Sequence, residues 1–448
     1  MHNSYSGVLP RMRLGLFALP LVFSIAAHAD DVAPVRALLA DPHQLATWLR
    51  DRDPKIESAR AKVDAARAAG DQSRVFPNPQ LAIGAGGFTV GNNNPGGTGQ
   101  LPLSQTINVS VGVSELFELG KRGPRKHAAD LRTREAGEQA IGSLGDRLGD
   151  ATTALGKLAF VVAKRDVIAV NLTDAHKLRD TEKVRLDNKD LSPLEYERIE
   201  LDTDELELEL GRAEAEVASA AAECSVTLGV TCAPTGLDAA ALDAGAPLPS
   251  ALPDTKIAIE ARPDRVASRL ESQALGEDAN LAAHRAIPDP TLGVAYEYDN
   301  YNGDLGQQFI FSLGIPLPFF DTGTHDAAAA RANAHAVTAE DEYELHEAHG
   351  LVDALIAQRT TLQTTLAKLE RDQVPKSTKI IEQTKRAFDL GEVRVADVLL
   401  VERAHRDLLS EVLETRFDLF TVRAQLRQAL GLDDEVARGV ASNGSQHE

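Results

Sequence analysis

Two stretches of the chain alternate apolar and polar residues with a period of two. Almost everything else with a clear period is helical. In residues 291–320, Leu292, Val294, Tyr296 and Tyr298 alternate with Gly293, Ala295, Glu297 and Asp299. Beyond a turn at Asn302-Gly303-Asp304, Phe309, Phe311, Leu313 and Ile315 alternate with Gln308, Ile310, Ser312 and Gly314. Period two puts each set on its own face of a strand. The stretch predicts a hairpin with one apolar, aromatic face and one small or polar face. A second copy lies earlier. Leu81, Ile83 and Ala85 alternate with Ala82, Gly84 and Gly86, and Ile107, Val109, Val111 and Val113 alternate with Asn108, Ser110, Gly112 and Ser114. Residues 87–105 between them read as a loop by composition. A lone hairpin is marginal, and four strands are too few to close a barrel. Either the sheet stays open or several chains each contribute four strands.

Helical patterns surround both hairpins. Residues 41–73 read as a helix with Ile56, Ala59, Val63 and Ala66 on one face and a local start at Asp53-Pro54. Pro77-Asn78-Pro79 ends it, because prolines remove donors and favour extended backbone. A helical segment from Pro124 to Asp187 would span roughly 90 Å at the rise of an α-helix, longer than a globular domain needs. Leu191-Ser192-Pro193 breaks it, and a new helix with an acidic, solvated face continues to Leu228. Residues 231–255, rich in Ala, Pro and Gly, read as a linker. The order then restarts. A helix opens at Arg262-Pro263-Asp264, Pro288-Asp289-Pro290 leads into the third strand, and a long helical segment is interrupted near Pro375. Gly391-Glu392-Val393-Arg394 makes a turn, and the last helix ends at Leu430-Gly431. Residues after Asp434 read as a disordered tail.

The halves superpose. Leu186-Asp187 matches Phe388-Asp389, and Leu228-Gly229 matches Leu430-Gly431, both at an offset of 202; the proline pairs match at 211, so the first hairpin loop is nine residues longer. This is an internal duplication. It divides a domain of residues 30–434 into repeat one (52–232), a linker (233–261) and repeat two (262–432), with 435–448 as the tail.

Composition narrows the setting. The chain has 448 residues and a net charge of −20, which argues against nucleic acid as a partner. Arg11 and Arg13 precede an apolar run that ends at Ala27-His28-Ala29, the pattern of a cleaved signal peptide over residues 1–29. No Cys follows the cut, so no lipid anchor is indicated. No later stretch has the ~18 consecutive apolar residues of a membrane helix, so strands must carry any membrane insertion. Cys224 and Cys232 are the two cysteines. In an exported protein a disulfide is the default, with two free thiols as the alternative.

These residues resemble the TolC family of outer-membrane efflux proteins. The likeness is carried by Pro77-Asn78-Pro79 and Pro288-Asp289-Pro290, by Ile315-Pro316-Leu317-Pro318-Phe319-Phe320-Asp321, and by Phe388-Asp389-Leu390-Gly391-Glu392-Val393 followed by Ala396-Asp397-Val398-Leu399. The second half is most similar to the outer-membrane subunits of cobalt–zinc–cadmium, heavy-metal RND efflux systems. The resemblance implies a mainly α fold with a membrane β-barrel. Three chains of four strands would close a 12-stranded trimeric barrel over a long helical tube in the periplasm. It implies partners: a homotrimer, a periplasmic adaptor (membrane fusion) protein, an inner-membrane RND pump and outer-membrane lipid. Val109, Val111, Val113, Tyr296, Phe309, Phe311 and Leu313 would face lipid. Leu191, Ser192, Gly391, Glu392, Val393, Arg394 and Asp397 would form the periplasmic tips that dock the adaptor. The first tip departs from the pattern, with Lys189 where the second has Gly391.

Catalytic chemistry is not indicated. His346 and His349 share a helical face, and His325, His335 and His405 are scattered nearby, but the spacing is not that of a metalloprotease. No phosphate loop, triad or cofactor motif is present. The expectation is a passive exit duct that needs no cofactor. A type I secretion or drug-efflux duct is the nearer alternative, and an exported periplasmic coiled-coil scaffold is the one from a different class.

Overall fold

The computed structural model describes residues 33–87, 107–301 and 304–444. The expected signal peptide and the residues up to 32, most of the first hairpin loop, two residues of the second hairpin turn and the last four residues lie outside these.

Three helices open the described residues: α1 (Val35–Ala40), α2 (Pro42–Arg52) and α3 (Pro54–Ser73). The single helix expected over 41–73 is therefore two. Asp53 caps the second through the amide of Lys55 and also accepts from Arg147 Nε at 2.7 Å, so the break at Asp53-Pro54 is pinned to the next long helix. Strands β1 (Gln80–Gly86) and β2 (Asn108–Leu116) follow, then α4 (Arg122–Asp187) and α5 (Pro193–Leu228). The second half runs through α6 (Ala239–Ala244), α7 (Thr255–Glu260), α8 (Pro263–Ala283), β3 (Thr291–Tyr301), β4 (Asp304–Gly314), α9 (Thr324–Lys368), α10 (Val374–Asp389), α11 (Val395–Ala429) and α12 (Leu432–Gly444). Between α9 and α10 the helix widens to a π turn at Leu369–Gln373. Pro375 has no N–H to give the Arg371 carbonyl, and the wide turn ahead of it absorbs the missing bond. No helix among the described residues is long and apolar enough to cross a membrane.

The four strands form one antiparallel sheet in the order β1-β2-β3-β4. Its register separates the two faces. Ile83, Val111, Tyr296 and Phe309 lie in one row, and Leu81, Val113, Val294 and Phe311 in another. Gly84, Ser110, Glu297 and Gln308 form a row of the opposite face. There Asn108 and Gln308 each donate to Glu297, at 2.8 and 3.0 Å. A Cβ on Gly84 would come within 2.7 Å of the Ser110 hydroxyl, so this face is narrow because it is small. The apolar face is exposed, and among the described residues β1 and β4 have no strand on their outer sides.

The main core lies midway along the helices. Leu148, Leu155 and Leu158 of α4 meet Phe420 of α11, Leu45 and Leu49 of α2, and Leu242 of α6. Gly156 makes room for Phe420, whose ring would stand 2.0 Å from a Cβ there. Two sequence expectations are corrected here. The linker over 233–261 is not loose. Leu237, Ala241, Leu242 and Ala246 are buried, and Arg423 and Arg427 hold its carbonyls. The tail is not disordered from 435: α12 runs to Gly444 and buries Val436, Ala437 and Val440 in the same core. In the first segment Ala, Pro and Gly mask the buried leucines, and in the second the buried residues are only Val436, Ala437 and Val440 among polar neighbours, so composition hides an apolar face in each.

Candidate functional site

The two places where long helices reverse are built alike, atom for atom. After α4, the Lys189 amide donates to the Leu186 carbonyl (3.0 Å) and the Asp190 amide to Arg185 (2.8 Å). After α10, the Gly391 amide donates to Phe388 (2.9 Å) and the Glu392 amide to Ala387 (2.9 Å). Each acceptor is 202 residues from its counterpart. This is the paired bonding of a left-handed helix C-terminus. It needs positive φ, and Lys189 takes φ 67° where Gly391 takes 76°. The missing glycine at the first tip therefore leaves the turn unchanged and costs Lys189 some strain. The next helices start alike too. Ser192 and Glu195 form a reciprocal cap on α5, and the Asp397 carboxylate accepts the Arg394 amide at 3.0 Å on α11.

The tips pack on each other within one chain. Leu191, Tyr196, Ile199, Phe388, Val395 and Val398 form a buried cluster, with Val393 against it. Arg185 stacks over Phe388 at 4.8 Å and pairs with Glu182, whose carboxyl is pushed up by burial despite that cation. Ser192, Gly391, Glu392, Arg394 and Asp397 are exposed, whereas Leu191 is buried. Above the cluster, buried Asp202 of α5 accepts from Arg406 (2.8 Å) and Arg403 (3.4 Å) of α11, tying the halves together. Neither the cross-tip cluster nor this link is foreseeable from sequence, because the partners lie some 200 residues apart and each reads as an ordinary helix-surface residue.

At the other end, the proline pairs lead the odd strands as expected. They are not equivalent in bonding. Asp289 accepts from the Leu119 amide (2.8 Å) and Lys121 Nζ (2.6 Å), joining the end of β2 to the start of β3. Asn78 is exposed. Pro316 and Pro318 lie in the segment after β4, where the Phe319 amide donates to the Leu317 carbonyl at 2.9 Å and Phe319 and Phe320 are exposed. Val109, Val111, Val113, Tyr296, Phe309, Phe311 and Leu313 are all exposed in the single chain, and Tyr296 meets Phe309 edge to face at 5.5 Å.

Cys224 and Cys232 are joined and buried, with Cα atoms 6.0 Å apart, so the residues after Gly229 are tied to the end of α5. His346 is exposed on α9. Among the described residues no three or more His, Cys, Asp or Glu side chains gather to hold a metal ion. His405 sits against Ser377 at 3.0 Å, where burial and the nearby Lys385 lower its pKa.

A sheet with an uncovered apolar face, set at one end of helices whose reversals cluster at the other, is the fold of the TolC-type outer-membrane channels. Residues 255–432 match the family described as outer membrane efflux protein, so the second half of the chain is similar to that family. The curated relative is outer membrane protein TolC of Vibrio cholerae serotype O1, 24% identical over 176 residues; the match spans 37% of this chain and 40% of that protein. Among solved structures, CusC superposes with a TM-score of 0.72 at 17% identity, covering 90% of this chain and 95% of that one. The outer-membrane channel OprN gives 0.72 at 18%, covering 88% and 91%. The open state of the Neisseria gonorrhoeae MtrE channel gives 0.69 at 17%, covering 90% and 93%. The three solved structures are described as channels.

Proposed function

We propose that the chain is the outer-membrane exit duct of a tripartite efflux system, working as a homotrimer. The observation that carries this reading is the sheet. It offers lipid an apolar face, gives the opposite face to polar and small side chains, and leaves both edges open. Open edges do not survive in hydrocarbon, so closure must come from further copies. Three copies make an even-stranded barrel. The α4–α5 and α10–α11 tips then ring the periplasmic mouth and dock an adaptor, which joins the duct to an inner-membrane RND pump. The cargo is divalent heavy-metal cations, a reading supported by the likeness of Ile315–Asp321 and its surroundings to metal-efflux subunits. The duct conducts passively, and selection belongs to the pump. A coiled-coil scaffold has no use for exposed Tyr296, Phe309 and Phe311. The test is twofold. Outer-membrane fractions should hold a heat-modifiable trimer that conducts ions in planar bilayers, and deleting the gene should sensitise cells to zinc, cobalt or cadmium. A conducting monomer would overturn the assembly, and drug sensitivity without metal sensitivity would overturn the cargo in favour of a drug-efflux duct.

A further inference from the structure

Leu194, Leu201 and Leu208 of α5 are each more than half exposed. They recur every seven residues, so they form one stripe along the helix. Leu208 lies two residues beyond Leu206, about 200° further round the helix, and Leu206 packs on Leu172 and Ala175 of α4. The stripe therefore points away from α4. Around it, α5 holds eleven acidic residues and two basic ones in its 36 positions. Glu197 and Asp204, one turn to either side of Leu201, are exposed and pair with no cation among the described residues. A groove of about 420 Å³ between α10 and α11 has the complementary character. Ile380, Leu400, Val401 and Leu408 line it, and Ile380 and Leu400 are half exposed or more. Lys376 stands on its rim, with Lys379 one turn further along α10. Lys385 pairs with Glu402, whereas Lys376 and Lys379 pair with no carboxylate among the described residues.

The fold sets these two surfaces at opposite ends of one row of helices. Below the sheet α5 packs along α4, α4 on α11, and α11 on α9 and α10. In a ring of copies, α10 of one chain therefore comes beside α5 of the next. Heights agree as well. Both α5 and α11 rise from the tips, and Asp202 bonds Arg403 and Arg406, which puts Leu201 level with residues 400–408 of α11. Rotation about the tube axis keeps every residue at its height. We propose that the α10–α11 groove receives the α5 leucine stripe of the adjoining copy, with Leu201 as its central knob and with Lys376 and Lys379 against Glu197 and Asp204 of that copy. The contact joins unlike faces, so it propagates around a ring until the rotation closes. The inference rests on the homotrimer reading, and it names the seam that seals the wall of the helical tube.

Cysteine crosslinking of the full chain in cells tests it. The two native cysteines are already joined, so introduced thiols report alone. Leu201→Cys and Ile380→Cys are placed on differently tagged chains expressed together and treated with a short bis-maleimide. A covalent dimer carrying both tags is expected, and the double variant in one chain should give a covalent trimer on heated gels. Lys376→Glu with Lys379→Glu should cut the dimer roughly threefold for each pair reversed, and Glu197→Lys with Asp204→Lys on the other chain should restore it. Loss that the second reversal does not rescue overturns the charge pairing. Leu201→Cys joined to a protein other than this chain, and not to Ile380→Cys, shows that a different partner covers the stripe and overturns the seam. No crosslink between the two variants while heat-modifiable trimer stands at its normal level overturns the seam and leaves the duct reading intact. A wild-type chain that yields no trimer in the outer membrane overturns the homotrimer reading and the seam with it.

Discussion

Placing an arginine at Val111 separates a membrane sheet from a soluble one. Val111 sits near the middle of β2, between Ile83 and Tyr296, with Phe309 next in the row. It is about half exposed in the single chain, so its tip meets whatever bathes that face. In hydrocarbon near the midplane, Val111→Arg costs about 2–4 kcal/mol. A trimer carries the charge three times, about 6–12 kcal/mol, which rivals the whole stability of an ordinary domain. Ser110 is the control one residue away. It faces the other side, between Gly84 and Glu297, where the missing side chain at Gly84 leaves space and the carboxylate offers a partner. A solvated pair of that kind is worth about 0–1 kcal/mol. The assay is the amount of heat-modifiable trimer in the outer-membrane fraction, normalised to total protein. Val111→Arg should abolish it, and Ser110→Arg should leave most of it. Equal loss in both, or the reverse order, would show that the faces have been assigned wrongly.

Four further outcomes follow from particular contacts. Gly391→Val forces a β-branched residue to φ 76° in otherwise open space, so about 1–2 kcal/mol of strain should disturb the tip; resistance should be lost while trimers persist in the membrane, read by susceptibility and gel. Breaking the Cys224–Cys232 bond, which closes a short loop of sequence separation 8, should cost about 2–3 kcal/mol in thermal melts, and peptide mapping without reductant should find the pair oxidised. Asp434 is pushed up to about 7, first by burial, against an ordinary value of 3.8. The folded chain therefore keeps a proton that the unfolded chain releases. This group's contribution to stability is full below about pH 4 and is lost as pH rises through 7, and Asp434→Asn should remove up to about 4 kcal/mol of that loss in melts at pH 8. His346→Ala with His349→Ala should leave metal resistance intact in growth assays if, as proposed, the duct conducts passively and does not select its cargo.

The strands were legible because period two has no rival over eight or more residues. The register observed here pairs the alternating sets named from sequence, Val111 against Tyr296 and Ser110 against Glu297. The long helices were legible for the same reason. What stayed hidden was packing between remote, weakly patterned pieces. The 233–261 segment looked like a linker because Ala and Pro mark loops locally. Its Leu237 and Leu242 are buried only because α4 and α11 are already there, and its Ile259 is buried against α9 and α11. The split at Asp53 was half visible: Asp-Pro announced a helix start, but not that Arg147, 94 residues on, would fix the break.

The tips show most directly what the duplication kept. Between Arg185–Ser192 and Ala387–Arg394 few residues are shared, and the glycine that makes such a turn easy is present only once. Yet the two reversals carry the same amide-to-carbonyl bonds at the same offset, and Lys189 accepts a strained φ to make them. A free loop would have relaxed there. One that did not is held from outside, and the holding is visible: Leu191 and Phe388 are buried in one cluster, and Arg185 lies over the Phe388 ring. Each tip is therefore part of the other's scaffold. Replacing Phe388 with Ala should loosen both reversals at once, by about 3 kcal/mol or more from the lost packing. Hydrogen exchange would read it as faster amides at Lys189 and Asp190 as well as at Gly391 and Glu392. Protection lost only at the second tip would mean that the halves meet there without supporting each other.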